Sequence, residues 1–427
     1  MSQSVTTRRI AAFAVKSVMK DGTALETALM SDPDYKGLDG RDRAFARLIA
    51  ATTFRRLGQI DAALKPFIKQ NPPAFIHAAL RSAAAQILFL GTPAHAAVGE
   101  TVNMLKARST TRGFAKMANA ILRRVVEQGP ALAGAQPPSV NVPPWIRKQW
   151  EKRYGRLALR KMALRLSKDP VLDLSFKPGP DMKALFPDAV ALDERTLRLP
   201  RIGDVAALPG FEEGQWWVQD IAASLPVKLL GDIKGLKVLD LCAAPGGKTL
   251  QLASMGAEVT AVDKSAARLE RLRENLDRTG LEAEIICADI LEYEPEKPFD
   301  IVLVDAPCSA TGTFRRHPEV LLRANPSDLS KLVNLQRKIL ARSADWVRPG
   351  GRLVYIVCSL QIEEGAPQIE HFLQIMPDFR LIPLLTLPVL DLPGEAFADG
   401  MLRSMPHFLE EKGGMDGFFI ALMQREI

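Results

Sequence analysis

Two short segments carry the side chains with the clearest chemical potential. Asp305-Ala-Pro-Cys308-Ser309 and Val357-Cys358-Ser359 each put a cysteine at the end of an apolar run of strand character, 301–305 and 352–358. A single cysteine in such a place is more often inert core than reagent. Two at the tips of neighbouring strands are a different matter, because the carboxyl ends of strands in an open α/β sheet converge on one crevice. A thiolate there can attack a carbon that is normally unreactive: addition at C6 of a cytosine turns C5 from a poor nucleophile into an enamine carbon that accepts a methyl group from a sulfonium donor. A free thiol is little ionised near neutrality, so the attacking cysteine needs activation by its surroundings. Asp305 is the candidate acid at N3 of the base, and the second thiol suits the later steps, in which the C5 proton leaves and the adduct is eliminated. The residues alone do not order the two cysteines.

The donor's place is marked by residues 238–249, VLDLCAAPGGKT. An apolar run, a turn full of breakers and a helical pattern from Lys248 read as strand, glycine turn and helix. Such a turn lets backbone N–H groups approach a ligand at the tip of the sheet. A dinucleotide fingerprint would need G-x-G-x-x-G where this loop has C-A-A-P-G-G. A P-loop would need glycine at Cys242, although Gly247, Lys248 and Thr249 fit its end. A nucleoside without a phosphate chain remains, and S-adenosylmethionine is the candidate. Asp263 closes the next strand, 259–263, where a carboxylate accepts hydrogen bonds from ribose hydroxyls. Asp289 and Asp305 fall at or just beyond two later strand ends. Each acid taken singly is about as readily a helix cap or turn residue; three in register beside a glycine turn point to a site.

The elements that must position these groups follow from length and pattern. At 427 residues the chain exceeds one core, so two or three domains are expected. Hydrophobic residues at 47% and charged residues at 25% are ordinary for a soluble globular protein. No apolar run reaches membrane-spanning length and MSQSVTTRRIAAFAVK has no signal-peptide core, so the cytoplasm is the expected compartment and no membrane partner is expected. Cys242, Cys287, Cys308 and Cys358 form no C-x-x-C pair and have no histidine cluster, which argues against a disulfide framework and against a metal. The charge is uneven: residues 1–130 hold 19 Lys and Arg against 9 Asp and Glu, a net of +10, while the remainder holds 37 against 40, or −3. A polyanion such as RNA is the natural partner of that surplus, because cations that meet phosphates release counterions.

From residue 6 to about 129 the spacing is helical, as in Ile10, Phe13, Ala14 and Val18 or Leu80, Ala84, Ile87 and Leu88, so 1–130 is expected as a helical bundle. Residues 131–144, ALAGAQPPSVNVPP, have the composition of a linker. Residues 145–168 read as a basic amphipathic helix, and 171–217 alternate short apolar runs with turns; together 145–217 are expected as a small α+β subdomain. From 218 to 427 strands and helices alternate as a doubly wound sheet, with a late strand at 417–423.

VLDLCAAPGGKT, AVDKS, FDIVLVDAPCSATGTFRRHPEV and LVYIVCSLQIEEG resemble the successive motifs of the RNA cytosine-5 methyltransferases of the Sun/Nop family, over about 216–427. Residues 40–61 and 96–125 resemble the NusB-like RNA-binding domain. The resemblance implies an all-α NusB-like bundle, a small α+β subdomain and an α/β Rossmann-like class I methyltransferase domain. It implies S-adenosylmethionine held by Cys242, Ala243, Ala244, Pro245, Gly246, Gly247 and Lys248 with Asp263, Asp289 and Asp305. It also implies Cys358 as nucleophile, Cys308 as the group that assists product release, and Lys248 pointing toward the reacting base. RNA contacts are implied for Arg8, Arg9 and the lysines and arginines of 106–124, with small-subunit ribosomal RNA as the expected target of a monomeric enzyme. Two positions depart from the pattern: the usual T-C-S reads Val357-Cys358-Ser359, and the usual L-R-x-N segment reads Leu172-Asp-Leu-Ser-Phe-Lys177. Two rival readings share many of these features, a non-catalytic RNA-binding assembly factor and a methyltransferase acting on another RNA or on protein. The thiol pair speaks against the first.

Overall fold

Apolar residues at three- and four-residue spacing make the first part of the chain helical, and alanines let those helices approach closely. In the computed structural model the described residues are 3–179, 181–200, 204–386 and 390–427. They form two compact units, one of Met1–Asp169 with Phe314–Ala324, the other of Pro170–Thr313 with Asn325–Ile427. Among the described residues no helix is long and apolar enough to cross a membrane.

The first unit is built from helices Gln3–Asp21, Leu25–Met30, Gly40–Arg55, Leu57–Leu64, Ala74–Phe89, Ala94–Lys106, Ser109–Arg112, Ala115–Gly134 and Pro144–Leu166. Helix Ala74–Phe89 runs through its centre: Ala79, Ala83, Ala84 and Ala85 join one apolar cluster while Ala78 joins the other. Segment Phe314–Ala324 completes the unit. The Phe314 ring lies 5.9 Å from that of Trp150, the Arg55 guanidinium donates to the Arg315 carbonyl at 2.5 Å, and Leu25 N–H donates to Glu319 at 3.3 Å.

Three expectations change here. Residues 131–144 are packed structure rather than a linker: the helix continues through Pro130 to Gly134, and Pro138–Asn141 is a 3-10 turn. Asn141 and Gln59 clamp that turn by exchanging hydrogen bonds of 3.1 and 3.0 Å, and a Cβ on Gly58 would meet the Val140 carbonyl at 2.1 Å. Helix Pro144–Leu166 belongs to the helical unit and not to the subdomain expected over 145–217, because it buries Ile146, Trp150, Leu159, Met162 and Leu166 there. Arg8 and Arg9 are core residues, 8% and 5% exposed; the Arg9 fork grips both oxygens of buried Asp32 at 2.7 Å, which removes it from any phosphate-binding face. Lys106, Arg108, Arg112, Lys116, Arg123 and Arg124 are exposed.

The second unit holds two sheets. Strands β1 (Leu172–Phe176), β2 (Val190–Asp193), β3 (Thr196–Leu199) and β4 (Trp216–Val218) form an antiparallel sheet in the order β2-β3-β1-β4, within the same compact unit as the larger sheet. The larger sheet comprises β5 (Lys237–Leu241), β6 (Glu258–Asp263), β7 (Glu284–Cys287), β8 (Phe299–Asp305), β9 (Val347–Val357), β10 (Phe379–Leu381), β11 (Leu402–Arg403) and β12 (Phe419–Arg425). Its order is β10-β12-β9-β8-β5-β6-β7, with β11 on β12; β5 to β9 pair in parallel, and the late strand β12 enters antiparallel beside β9. Val302, Val304, Leu353 and Tyr355 anchor a core with helix Pro326–Ala344, capped by Asn325, while helix Ala266–Thr279, capped by Ser265, buries Leu269, Leu272 and Leu276 in a second cluster with Ala243, Leu250 and Ala261.

Candidate active site

The sheet order lines up the tips of five parallel strands as β9, β8, β5, β6 and β7. The groups expected to do chemistry therefore fall in a row: Cys358 just past β9, Asp305 and Cys308 at the end of β8, the 242–248 loop after β5, Asp263 ending β6 and Asp289 beyond β7.

On the β5 side the site is made mostly of backbone. Cys242 has φ 59 and Gly246 has φ 106, left-handed values that turn the chain sharply after the strand. A Cβ on Gly246 would strike Leu272 at 2.2 Å, so the loop is drawn down onto helix Ala266–Thr279. Asp263 fixes the loop from beside it, accepting from Ala244 N–H at 3.2 Å and from Ser265 N–H at 2.9 Å, with the Arg268 guanidinium 3.3 Å away. A carboxylate offers about four acceptor positions, so Asp263 keeps capacity for a ribose hydroxyl while it holds the turn. Asp289 is exposed and closes its own turn by accepting from Leu291 N–H at 3.0 Å. A close-approaching glycine turn flanked by these acceptors fits a nucleoside such as that of S-adenosylmethionine. Burial and the charges of Asp305, Asp263 and Asp240 push the Cys242 thiol up to about 12, so it lines the cradle as a protonated thiol.

On the β8–β9 side the site is made of side chains. The sulfur atoms of Cys308 and Cys358 are 3.4 Å apart. The hydrogen bond to Cys358, burial, and the charges of Cys358 and Glu364 hold the Cys308 thiol well above its usual range. Lys248 reaches Asp305 at 2.7 Å and lies 5.5 Å from the centre of the Phe418 ring. Burial alone would lower the lysine, but the charge and hydrogen bond of Asp305, with Asp240 and Cys358 behind, hold it above its usual value and therefore cationic. Val357, where a threonine was expected, is fully buried in the sheet core; the hydroxyls beside the thiols belong to Ser309, Thr311 and Ser359.

Four contributors escaped the sequence reading. Glu364 is fully buried and accepts from Ser309 N–H at 2.9 Å, Ser309 Oγ at 2.6 Å, Gln336 Nε2 at 2.9 Å and Ser359 Oγ. Asp240, inside β5, accepts from Thr249 Oγ1 at 2.6 Å and is pushed by burial up to about 7. Gly312 and Gly417 let three chain segments meet: Gly312 N–H donates to the Cys358 carbonyl at 3.0 Å, Gly417 N–H donates to the Gly312 carbonyl at 2.9 Å, and a Cβ on Gly312 would meet the Gly417 oxygen at 1.8 Å. The available signal was the Asp416-Gly417-Phe418 sequence, a turn just before a terminal apolar strand, and a Glu pair close behind Cys358-Ser359.

Known proteins share this organisation. The family described as 16S rRNA methyltransferase RsmB/F matches residues 228–424, and the NusB family matches residues 5–127. A ribosomal RNA small subunit methyltransferase B of Pseudomonas syringae pv. tomato is 36% identical, with 97% of this chain and 96% of the relative covered. One of Xanthomonas campestris pv. campestris is 34% identical, with 98% and 97% covered. The crystal structure of PH0851 shares the fold at a TM-score of 0.80 and 24% identity, spanning 100% of this chain and 99% of that one.

Proposed function

Because the chain belongs to the 16S rRNA methyltransferase RsmB/F family and carries a NusB-family region ahead of its methyltransferase domain, we propose that it transfers a methyl group from S-adenosylmethionine to C5 of a cytosine in RNA, with small-subunit ribosomal RNA as substrate. The observation that carries this reading is the thiol pair, Cys308 and Cys358, 3.4 Å apart on adjacent strands beside the Lys248–Asp305 ion pair. N- and O-directed methyl transfer has no use for two sulfurs, whereas attack through C5 needs one to add to the ring and benefits from a second when the adduct is undone.

The loop 242–248 with Asp263 and Asp289 would hold the donor, which supplies an electrophilic methyl group. Cys358 Sγ forms a bond to C6 of a base turned out of its stack. The C5–C6 π electrons move toward N3, which takes a proton from the Lys248–Asp305 pair, and C5 becomes the nucleophile that would accept the methyl group as the donor's methyl–sulfur bond breaks and a neutral thioether leaves; N3 then returns its proton to the pair. A base then removes the C5 proton, its electron pair restores the C5–C6 double bond, and the C6–S bond breaks with its electrons returning to Cys358. Cys308 assists that release. The exposed run Lys106, Arg108, Arg112, Lys116, Arg123 and Arg124 supplies phosphate contacts that are largely indifferent to sequence.

The test is to mix the full chain with small-subunit ribosomal RNA and a donor carrying a labelled methyl group, then map the label. Wild type should yield 5-methylcytosine, and Cys358→Ala should lose transfer by at least about 1,000-fold while still binding the donor. Full activity of the alanine variant, or label on another atom, would overturn the reading.

A further inference from the structure

We propose that Glu364 is a positioning residue for this reaction: its buried carboxylate ties the Cys308 loop to the Cys358 strand tip and sets a fixed negative charge against Cys308, so that the two sulfurs stay in the contact that attack and release require. The consequence for turnover rests on the cytosine-5 reading; the hold on Cys308 does not.

Glu364 ends the 3-10 turn Ile362–Glu364, behind the tip of β9. Oε1 receives Ser309 N–H and Gln336 Nε2, and Oε2 receives Ser309 Oγ and Ser359 Oγ. Those four donors fill the acceptor positions of a carboxylate, and all four are neutral. The same group thus grips the residue after Cys308 and the residue after Cys358. Gln336 extends the clamp, donating to the Pro307 carbonyl at 2.9 Å as well, and Tyr355 Oη donates to the Glu364 carbonyl at 3.0 Å. If tethering were the whole purpose, an uncharged side chain would serve without the penalty of burying a charge. What the charge adds is a field at Cys308 that opposes loss of its proton, and Glu364 is among the groups that raise that thiol. The tether holds the sulfur-to-sulfur contact at 3.4 Å, and the charge opposes ionisation of Cys308.

The experiment compares Glu364→Gln with the double variant Ser309→Ala/Ser359→Ala in the full chain. Iodoacetamide alkylation of Cys308, resolved from the other cysteines by mass spectrometry and followed against pH without RNA or donor, reads the charge directly. Glu364→Gln should move the alkylation midpoint down by about one pH unit, since the acid form is no longer favoured, and raise the rate at pH 8 about tenfold. With RNA its kcat should fall on the order of 100-fold, because the charge that sets the proton balance of the thiol pair is lost. KM for the donor should stay within about twofold, because the 242–248 loop is untouched. The serine variant keeps the charge, so it should lower kcat while leaving the Cys308 midpoint in place. An unchanged midpoint in a Glu364→Gln protein that still binds donor overturns the proposal. So does unchanged kcat in the serine variant, or loss of donor binding in both variants, which would make Glu364 a folding residue. A shifted midpoint in a protein whose wild type never methylates RNA would leave the clamp standing and sink the cytosine-5 reading instead.

Discussion

The two sides of the crevice are built on opposite plans. The side proposed to hold the donor, after β5 and β6, is a backbone surface: left-handed residues at Cys242 and Gly246, with a carboxylate at Asp263 that spends most of its hydrogen bonds on peptide N–H groups. The thiol side, after β8 and β9, is a side-chain network in which Cys308, Cys358, Ser309, Ser359 and Glu364 hold one another. A backbone surface grips what all donors share and tolerates side-chain change so long as the turn survives. A side-chain network is specific to one chemistry and fails when one member goes. Binding and transfer should therefore be separable by mutation.

The sharpest separation is expected from Cys308→Ala. Steady turnover should fall about 1,000-fold, since adducts form but are slow to resolve, while donor affinity changes less than about twofold. Denaturing gels run under turnover conditions should show a slow-migrating protein–RNA species; its absence would count against the release role. The mirror-image change is Gly246→Ala, which forces an L-residue to φ 106 and a Cβ into Leu272. Donor affinity measured by calorimetry should weaken on the order of 100-fold, from strain and overlap of a few kcal/mol, with the Cys308 alkylation profile unmoved. If both properties move together in either variant, the two sides are one cooperative unit and the division fails. The smallest effect concerns the seam between them. Asp240 is raised from 3.8 to about 7 by burial, so the folded state holds a proton that the unfolded state releases at lower pH. Its contribution to stability is therefore full below the lower value and is lost as pH rises through the upper one. Thermal melts from pH 4 to 8 should show that decline in wild type and a flatter profile in Asp240→Asn, whose carbonyl can still accept from Thr249. Parallel profiles would refute it.

That these groups sit at strand ends was legible in the sequence because it depends on local patterns: an apolar run and a breaker-rich turn at 238–249, and strand ends closed by Asp263 and Asp305. Such signals span a few residues and survive any tertiary context. Glu364 was not legible, because its meaning comes from partners 28 and 55 residues away, Gln336 and Ser309, and its neighbours suggest only a helix start. Arg9 was misread for a related reason. A basic residue early in the chain looks like a phosphate contact until Asp32 is found across the helix pair. Composition misled at 131–144, where prolines and alanines serve as well in a turn clamped by Asn141 as in a free spacer. What hides from one-dimensional reading is satisfaction at long range, the pairing of a buried polar group with a distant partner.

The excursion of Phe314–Ala324 bears on how this protein can be taken apart. The chain leaves the catalytic unit immediately after Thr313, lends Phe314 to the ring of Trp150 and Glu319 to the amide of Leu25, and only then returns. A truncation at Pro170 would therefore not yield a free-standing enzyme half. It would leave a greasy, arginine-bearing loop with its sockets deleted, tethered a few residues from Cys308, and such a fragment should be sticky and misread as inactive chemistry. Modularity here belongs to the ancestry of the parts and not to their present handling.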